Sequence, residues 1–193
     1  MNGASPRITP KSRLSREQRN MLRTTVPPNG DELNIFRTMA RHPLLLERFC
    51  AFTQLLRNDG KVPIREREIV ILRVGWRTQS VYEFGQHTIV ARRAGLSDQE
   101  IARITGASDD RAWATGDQLL IQLVDEIHDS DAISDATWND LADSWNEAQL
   151  EELVMLVGLY HMTAWFLIGL KIQQEPGLPG WPSGPAAQAD SGN

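Results

Sequence analysis

The sequence is poor in the residues that form disulfides and metal sites. Among its 193 residues Cys50 is the only cysteine, so an intrachain disulfide is excluded. Cys50 lies within Arg-Phe-Cys-Ala-Phe, a setting typical of a packed helix position and not of a reactive thiol. The histidines of the chain are His42, His87, His128 and His161. Their spacing fits no metal motif, so we predict that the protein holds no metal and needs no cofactor.

The chain also lacks an excess of basic residues and an apolar run at its start. Its net charge is −5 and its pI is about 5.4, a balance that gives no support for nucleic acid or an anionic membrane surface as a partner. The first residues, Met-Asn-Gly-Ala-Ser-Pro, do not resemble a signal peptide, and we expect a cytoplasmic protein. Hydrophobic residues make up 41% of the chain and charged residues 23%, which is ordinary for a soluble globular protein.

Apolar residues recur with helical spacing, and no stretch of useful length alternates with the period of a strand, so we predict an all-α fold. We place one domain at residues 15–173, between a flexible arm at 1–14 and a Pro/Gly-rich tail at 174–193. In that tail, Leu178 and Trp181 are candidates for docking on the body or on a partner. Breaks are predicted at 27–30, 58–60 and 107–116. Helix starts are predicted at Ser15, Asn34, Pro43, Pro63, Ser80, Ser97, Asp117, Ser134 and Asn146.

An uncharged stretch at residues 153–170 is long enough to span a bilayer. It contains His161, and only one basic residue, Lys171, follows it closely. A helix that is apolar on all sides is equally expected at the centre of a bundle or across a subunit interface. Because the other predicted helices are amphipathic and can cover it, we favour a buried helix over a membrane span.

Residues 68–87 place ionisable side chains on the apolar faces of two predicted helices. Glu68 lies on the first, and Glu83 and His87 lie four residues apart on the second. A carboxylate and an imidazole held against apolar surface suit proton transfer, since burial and a charged neighbour shift the pKa values of such groups. Ser80-Val-Tyr-Glu83 is also the pattern of a capping box. The alternative is therefore that Ser80 and Glu83 only start a helix and that His87 is a core histidine.

Three segments carry a family resemblance: Arg65-Glu-Arg-Glu68-Ile-Val-Ile-Leu-Arg73, Tyr82-Glu-Phe-Gly-Gln-His87 and Ala94-Gly-Leu-Ser-Asp-Gln-Glu-Ile101. Together they resemble the carboxymuconolactone decarboxylase family, which includes the alkyl hydroperoxidase D-like proteins. The resemblance is strongest over 63–104 and extends weakly to residues 34–37, to Tyr160 and to residues 175–178. The peroxidase branch of that family carries E-x11-C-x2-C-x3-H. Here Glu68 and His87 stand at the Glu and His positions, but Ser80 and Glu83 replace the cysteines, so its thiol chemistry does not carry over.

The resemblance implies an all-α helical bundle of the AhpD-like/carboxymuconolactone decarboxylase type. It also implies a homo-oligomer, a trimer or a multiple of one, with active sites near the subunit contacts. The function it implies is a redox-neutral enzyme, a decarboxylase, isomerase or lactone-acting lyase or hydrolase. Its substrate would be a small organic acid, lactone or enolisable carbonyl compound. The alternatives are a hydroperoxidase-like antioxidant enzyme, which the missing thiols disfavour, and a non-catalytic oligomer that binds a small ligand.

Within that reading, Glu68, Glu83 and His87 would transfer protons, one carboxylate orienting and charging the imidazole. Further residues are candidates for contact with substrate, each with a structural role as the alternative. They are Ser80, Trp76, Tyr82, Arg73, Tyr160 and His161.

Overall fold

The structure is a computed structural model, and it describes residues 5–25, 33–107 and 110–182. Within those ranges the protein is helical and contains no strand, which confirms the predicted all-α fold. The predicted break at 27–30 and the tail beyond residue 182 lie outside the described residues. The helices are α1 (Arg16–Thr25), α2 (Asn34–Met39), α3 (Pro43–Gln54), α4 (Ile64–Arg77), α5 (Val81–Arg93), α6 (Asp98–Arg103), α7 (Thr115–Ser130), α8 (Asp135–Ala142) and α9 (Glu147–Gly169).

Most helices begin where the capping signals place them. Capping boxes form at Ser97 and Asn146, and the Ser134 hydroxyl accepts a hydrogen bond from the third residue of α8. The helix predicted from residue 117 to 128 is longer, because α7 begins at Thr115 and ends only where Asp131 adopts a left-handed φ of 55°. The helical stretch that begins at Pro43 ends at Gly60, as predicted, but its last turn, Leu55–Asp59, is π-helical.

Helix α4 lies at the centre of the bundle, where it contacts α5, α7 and α9. Every residue from 67 to 75 is buried, so this helix is covered on all sides. Gly75 marks the closest approach to α5, since a Cβ at this position would lie 3.3 Å from the backbone nitrogen of Phe84. The missing side chain lets the two helices pack tightly, and that packing fixes where their functional residues meet.

Two apolar clusters share the interior. The larger one joins α4 to α7 and α9 through residues such as Ile71, Leu120 and Val157. The smaller one joins α1, α2 and α3 to α5 and α9. Where the two clusters adjoin, the packing leaves a cavity, whose wall includes Phe36 of the smaller cluster and Leu159 of the larger.

Both ends of the described chain lie on the bundle. The backbone nitrogens of Arg7 and Lys11, in the segment expected to be a flexible arm, donate to carbonyls of Leu170 and Arg37. At the other end, residues 173–182 form a non-helical segment with a turn at Pro176 and Gly177, which we call the strap. Trp181 of the strap stacks edge-on against Trp76, with ring centroids 5.2 Å apart. The described part of the tail therefore docks on the body, one of the two alternatives predicted for Trp181.

Helix α9 is apolar on all sides but buried on only one. Its inner face packs in the bundle, and half of the 18-residue window that could span a bilayer is buried. The rest of the described chain does not cover its outer face, so our expectation of a fully covered helix is wrong for that face. The exposed apolar side chains there are Val154, Met155, Met162, Trp165 and Ile168.

Candidate active site

A cavity of about 90 Å³ lies between α2, α3, α5 and α9. Most of its wall is apolar, and four of the predicted site residues also line it. The apolar side chains include Ile35, Phe36, Phe49, Leu159 and Leu167. The predicted site residues that reach the cavity are Tyr82, Glu83, His87 and Tyr160. An apolar pocket with a few convergent polar groups is the usual form of a small-molecule site.

Helices α4 and α5 bring together the two residues that the family resemblance singled out. The Nδ1 atom of His87 lies 2.6 Å from Oε2 of Glu68, and Nε of Arg67 lies 3.6 Å from the other oxygen, Oε1. Glu68 is fully buried behind His87 and does not itself line the cavity. Because a carboxylate accepts, Nδ1 carries the hydrogen, and Nε2 is the ring nitrogen left for a ligand.

The carboxyl group of Glu83 is buried at the cavity wall without a hydrogen-bond partner among the described residues. Burial raises its pKa well above the ordinary value for a glutamate, so the neutral acid is favoured. The expected pairing of Glu83 with His87 is wrong, since the partner of His87 is Glu68. A buried, protonated carboxyl group can donate a hydrogen bond, and no described residue accepts one from Glu83. An oxygen atom of a ligand in the cavity could be the acceptor.

The capping box predicted from Ser80 and Glu83 does not form. Ser80 precedes α5 in the N-cap position, but its side chain accepts no capping hydrogen bond. Its hydroxyl is buried and has no partner in the described part of the chain. The alternative in which Ser80 and Glu83 only start a helix is therefore wrong. Ser80 does not line the cavity, so its predicted contact with substrate is not seen either.

Two tyrosines contribute to the wall in different ways. The Tyr160 ring meets the His87 ring edge-on, with centroids 4.9 Å apart, and holds the imidazole plane. The Tyr82 hydroxyl donates to Oε1 of Glu175 over 2.7 Å, which ties the strap to the cavity wall. Burial raises the pKa of both phenols, and Glu175 raises that of Tyr82 further. Both tyrosines are therefore neutral at physiological pH.

Three predicted contact residues lie away from the cavity, and each has a structural role. Arg73 is buried and makes a bidentate ion pair with Asp125, with N–O distances of 2.7 and 2.6 Å. Trp76 packs against the strap at Trp181. His161 faces α7, where its Nε2 lies 3.0 Å from Nδ1 of His128. None of these three residues lines the cavity, and the contact that each makes is the kind that its structural alternative predicts.

The sequence analysis missed four polar residues of the cavity lining: Thr53, Arg57, Gln86 and Thr163. Arg57 belongs to the π-helical turn, and Gln86 donates from α5 to Oε2 of Glu175 over 2.9 Å. The sequence did contain a signal for Arg57, since this arginine directly follows Leu55 and Leu56 and precedes the predicted helix end at 58–60. The orientation of its side chain depends on the π-turn, which has no recognisable sequence pattern.

Residues 43–118 match the Carboxymuconolactone decarboxylase family. This segment runs from α3 into the start of α7 and contains Arg57, Glu68, Glu83 and His87. In the described ranges, no three His, Cys, Asp or Glu side chains come together as a metal site would require.

Several solved structures share the fold. A peroxidase-related protein from Silicibacter sp. TM1040 has a TM-score of 0.77 at 15% identity, with 91% of this chain and 95% of that chain covered. An Agrobacterium tumefaciens protein of unknown function, described as a putative antioxidant defence protein AhpD, has a TM-score of 0.65 at 15% identity over 70% and 93% of the chains. The debrominase Bmp8 has a TM-score of 0.74 at 14% identity over 88% and 92%. No curated protein matches the sequence.

Proposed function

We propose that the protein is a redox-neutral enzyme acting on a small enolisable carbonyl compound, as the match of residues 43–118 to the carboxymuconolactone decarboxylase family supports. Decarboxylation and double-bond isomerisation both pass through an enolate, and lactone opening passes through an oxyanion. Each reaction needs a proton-transfer group and a donor for the developing negative charge. The cavity offers one candidate for each.

The observation that carries the proposal is the Glu68–His87 hydrogen bond at the wall of an apolar cavity. Glu68 orients the imidazole through Nδ1 and stabilises the positive charge that develops when Nε2 takes a proton. In an isomerisation, Nε2 would remove a proton from the carbon beside the carbonyl group and return it to a different carbon. In a decarboxylation, Nε2 would first take a proton from solvent, and the imidazolium would then give that proton to the enolate carbon left by loss of carbon dioxide. Neither sequence needs an electron acceptor.

Glu83 supplies the second element. As a neutral acid it would donate a hydrogen bond to the substrate carbonyl oxygen, and that bond strengthens as the oxygen becomes an enolate. An ionised carboxylate in the same place would repel the enolate. The burial that raises the pKa of Glu83 is thus a requirement of this mechanism.

The hydroperoxidase alternative lacks its nucleophile in this chain. Positions 80 and 83 hold serine and glutamate, and Cys50 is fully buried in the smaller apolar cluster away from the cavity lining. A thiolate reaction would need a sulfur atom at the ligand. The thiol reaction of the peroxidase branch and the redox-neutral reaction proposed here would both use the Glu68–His87 pair, which can transfer protons in either.

Solvent deuterium exchange tests the proposal without a known product. The protein is incubated in D₂O with small 3-oxo and 4-oxo acids, their esters and five-membered lactones, and NMR follows loss of C–H signal and product formation. We expect exchange or turnover with at least one compound, and its loss in His87→Gln and in Glu83→Leu, which has no donor, but not in Cys50→Ser. If turnover required Cys50 and survived in H87Q, the thiol alternative would replace ours.

We also propose that the protein assembles as a trimer or a multiple of one through the outer face of α9. The support is the exposed apolar row on that helix, which includes Met162, Trp165 and Ile168. Such patches mark interaction surfaces in soluble proteins. Light scattering after gel filtration would measure the mass, and Trp165→Asp is expected to lower it to that of the monomer. A monomeric wild-type protein would refute this assembly.

A further inference from the structure

Arg57 is a cation at the cavity wall without an ion-pair partner in the described part of the chain. It is half-buried and lines the same cavity as Glu83 and His87. Other arginines of low exposure are paired: Arg65 lies 2.8 Å from Asp117 and Arg73 lies 2.6 Å from Asp125. A guanidinium group with five N–H donors beside an apolar cavity is an incomplete site unless an anion joins it.

The backbone of Arg57 is held in place from both sides of the π-helical turn. On one side, Nη1 of Arg67 donates to the carbonyl oxygens of Leu56 and Arg57. On the other, Oε2 of Glu152 accepts from the backbone nitrogen of Lys61 over 2.6 Å. Single π-turns occur frequently at functional sites, because the wider turn redirects a side chain. This turn directs Arg57 into the cavity.

The same contacts link Arg57 to the proposed proton-transfer pair. Nε of Arg67 lies 3.6 Å from Oε1 of Glu68, and Nη1 of the same side chain donates to the carbonyl oxygen of Arg57. One buried side chain thus fixes the positions of the cation and of the carboxylate that orients His87. Glu83 contributes no compensating negative charge, because burial keeps it neutral. Arg57 is therefore the charged side chain of the cavity lining, because the Glu68 and Glu175 carboxylates lie behind that lining and are bonded to His87 and to Tyr82 and Gln86.

We propose that Arg57 binds the carboxylate of the substrate, so that the ligand is a small carboxylic acid and not a neutral lactone or ketone. A planar guanidinium group matches a carboxylate with two parallel hydrogen bonds. The ligand would be bound at two points, with its carboxylate at Arg57 and its carbonyl oxygen at Glu83. Its short apolar body would occupy the space beside Phe36 and Leu159. This inference deepens the proposed function and rests on the same cavity.

Binding measurements test this assignment independently of turnover. The probes are straight-chain oxo acids of four to six carbons, each paired with its methyl ester, and saturation-transfer NMR or calorimetry gives the affinities. We expect the wild-type protein to bind at least one acid about tenfold or more tightly than its ester. In Arg57→Gln that acid is expected to bind about 10- to 100-fold more weakly, as for loss of a charge-assisted pair, with ester binding unchanged within about twofold.

Three controls separate the possible failures. Arg48→Gln removes a cation on α3 whose side chain is 74% exposed, and it should change nothing. Arg57→Lys keeps the positive charge but loses the planar guanidinium group, so it should retain part of the preference for the acid over its methyl ester. His87→Gln should keep acid binding even where it abolishes turnover, so a wrong mechanism and a wrong anion site give different results. If no acid is preferred over its ester, or if a folded R57Q loses both ligands equally, the assignment to Arg57 is wrong.

Discussion

The Glu68 carboxylate and the His87 imidazole are nineteen residues apart in the chain and are joined by a 2.6 Å hydrogen bond between α4 and α5. Only 1% of the Glu68 side chain is exposed, whereas His87 keeps 14% exposure at the cavity. Glu68 therefore reaches a ligand only through His87. We regard His87 as the proton-transfer residue of the proposal and Glu68 as the residue that positions it.

Replacing His87 by Gln is expected to lower turnover by about two to four orders of magnitude, because the amide cannot take a proton from carbon. Glu68→Gln should have a smaller effect, since the amide still accepts from Nδ1 but does not stabilise the imidazolium. The measurement is kcat on a substrate found in the deuterium-exchange screen, with circular dichroism to confirm the fold. His128→Gln, a histidine change outside the cavity, is the control. Near-normal turnover in a folded H87Q would exclude this role.

Glu83 is expected to make stability fall as pH rises. In the unfolded chain it ionises near pH 4.5, whereas burial raises its pKa in the folded protein well above that value. Between the two pKa values unfolding releases a proton, so the free energy of unfolding falls by up to about 1.4 kcal/mol per pH unit. Glu83→Gln removes this pH-dependent contribution to the free energy of unfolding.

Urea denaturation between about pH 5 and about pH 8 measures this effect. The gain in stability of E83Q relative to the wild type should increase with pH, whatever constant offset the buried amide adds. Glu151→Gln, at an exposed position of α9, should show no such trend. A difference between E83Q and wild type that stays level across the range would mean that Glu83 is ionised in the folded protein.

Gly85 is expected to be the position at which a single methyl group displaces the strap. A Cβ there would lie 2.3 Å from the carbonyl oxygen of Pro179, and a backbone atom cannot move aside cheaply. Gly85→Ala should therefore cost about 1–3 kcal/mol of stability and expose residues 173–182. Hydrogen exchange and limited proteolysis, both read by mass spectrometry, detect that exposure. Gly116→Ala in α7 is the matched control, because no atom outside its own helix lies within 4 Å of the added methyl group.

In that control, alanine should be neutral or stabilising by up to about 1 kcal/mol, as expected for alanine in place of glycine within a helix. The cavity should also respond to G85A, since Glu175 of the strap accepts from Tyr82 and Gln86. An unchanged exchange rate across residues 174–182 would show that the strap shifts without detaching.

Two thiols introduced at positions 80 and 83 are expected to form a disulfide. Ser80 is the N-cap residue of α5 and Glu83 lies in its first turn, where the helix N-terminus favours a thiolate. Ser80→Cys with Glu83→Cys, made in a Cys50→Ser background, should lose two hydrogens under mild oxidation, as mass spectrometry would show. We also expect weak dithiol-reductase activity and loss of the native reaction.

The single Ser80→Cys variant in the same background controls for intermolecular bridging. No cap is lost in the double variant, because the Ser80–Glu83 capping box does not exist in the structure. Two free thiols in a folded double variant would contradict the alignment of these positions with the cysteines of the peroxidase branch.

Local sequence signals were sufficient to predict the fold class and most helix starts. The capping boxes at Ser97 and Asn146 form as predicted, because their hydrogen bonds join residues three apart in the chain. The apolar faces that carry Glu68, Glu83 and His87 are equally local, since the helical repeat alone places them. Glu68, Glu83 and His87 were therefore identifiable before any tertiary contact was known, whereas Arg57 was not.

Tertiary packing decided what those residues do to one another. The spacing of Glu83 and His87 predicts a pair, yet His87 bonds to Glu68 because Gly75 lets α5 pack close against α4. Glu83, buried by the same packing, keeps a carboxyl group without a partner in the described chain. The orientation of Arg57 and the course of the strap also depend on contacts between segments distant in the chain, such as Arg67 on the π-turn. Helical periodicity determines the face on which a side chain lies, but only the arrangement of neighbouring helices determines which group it meets there.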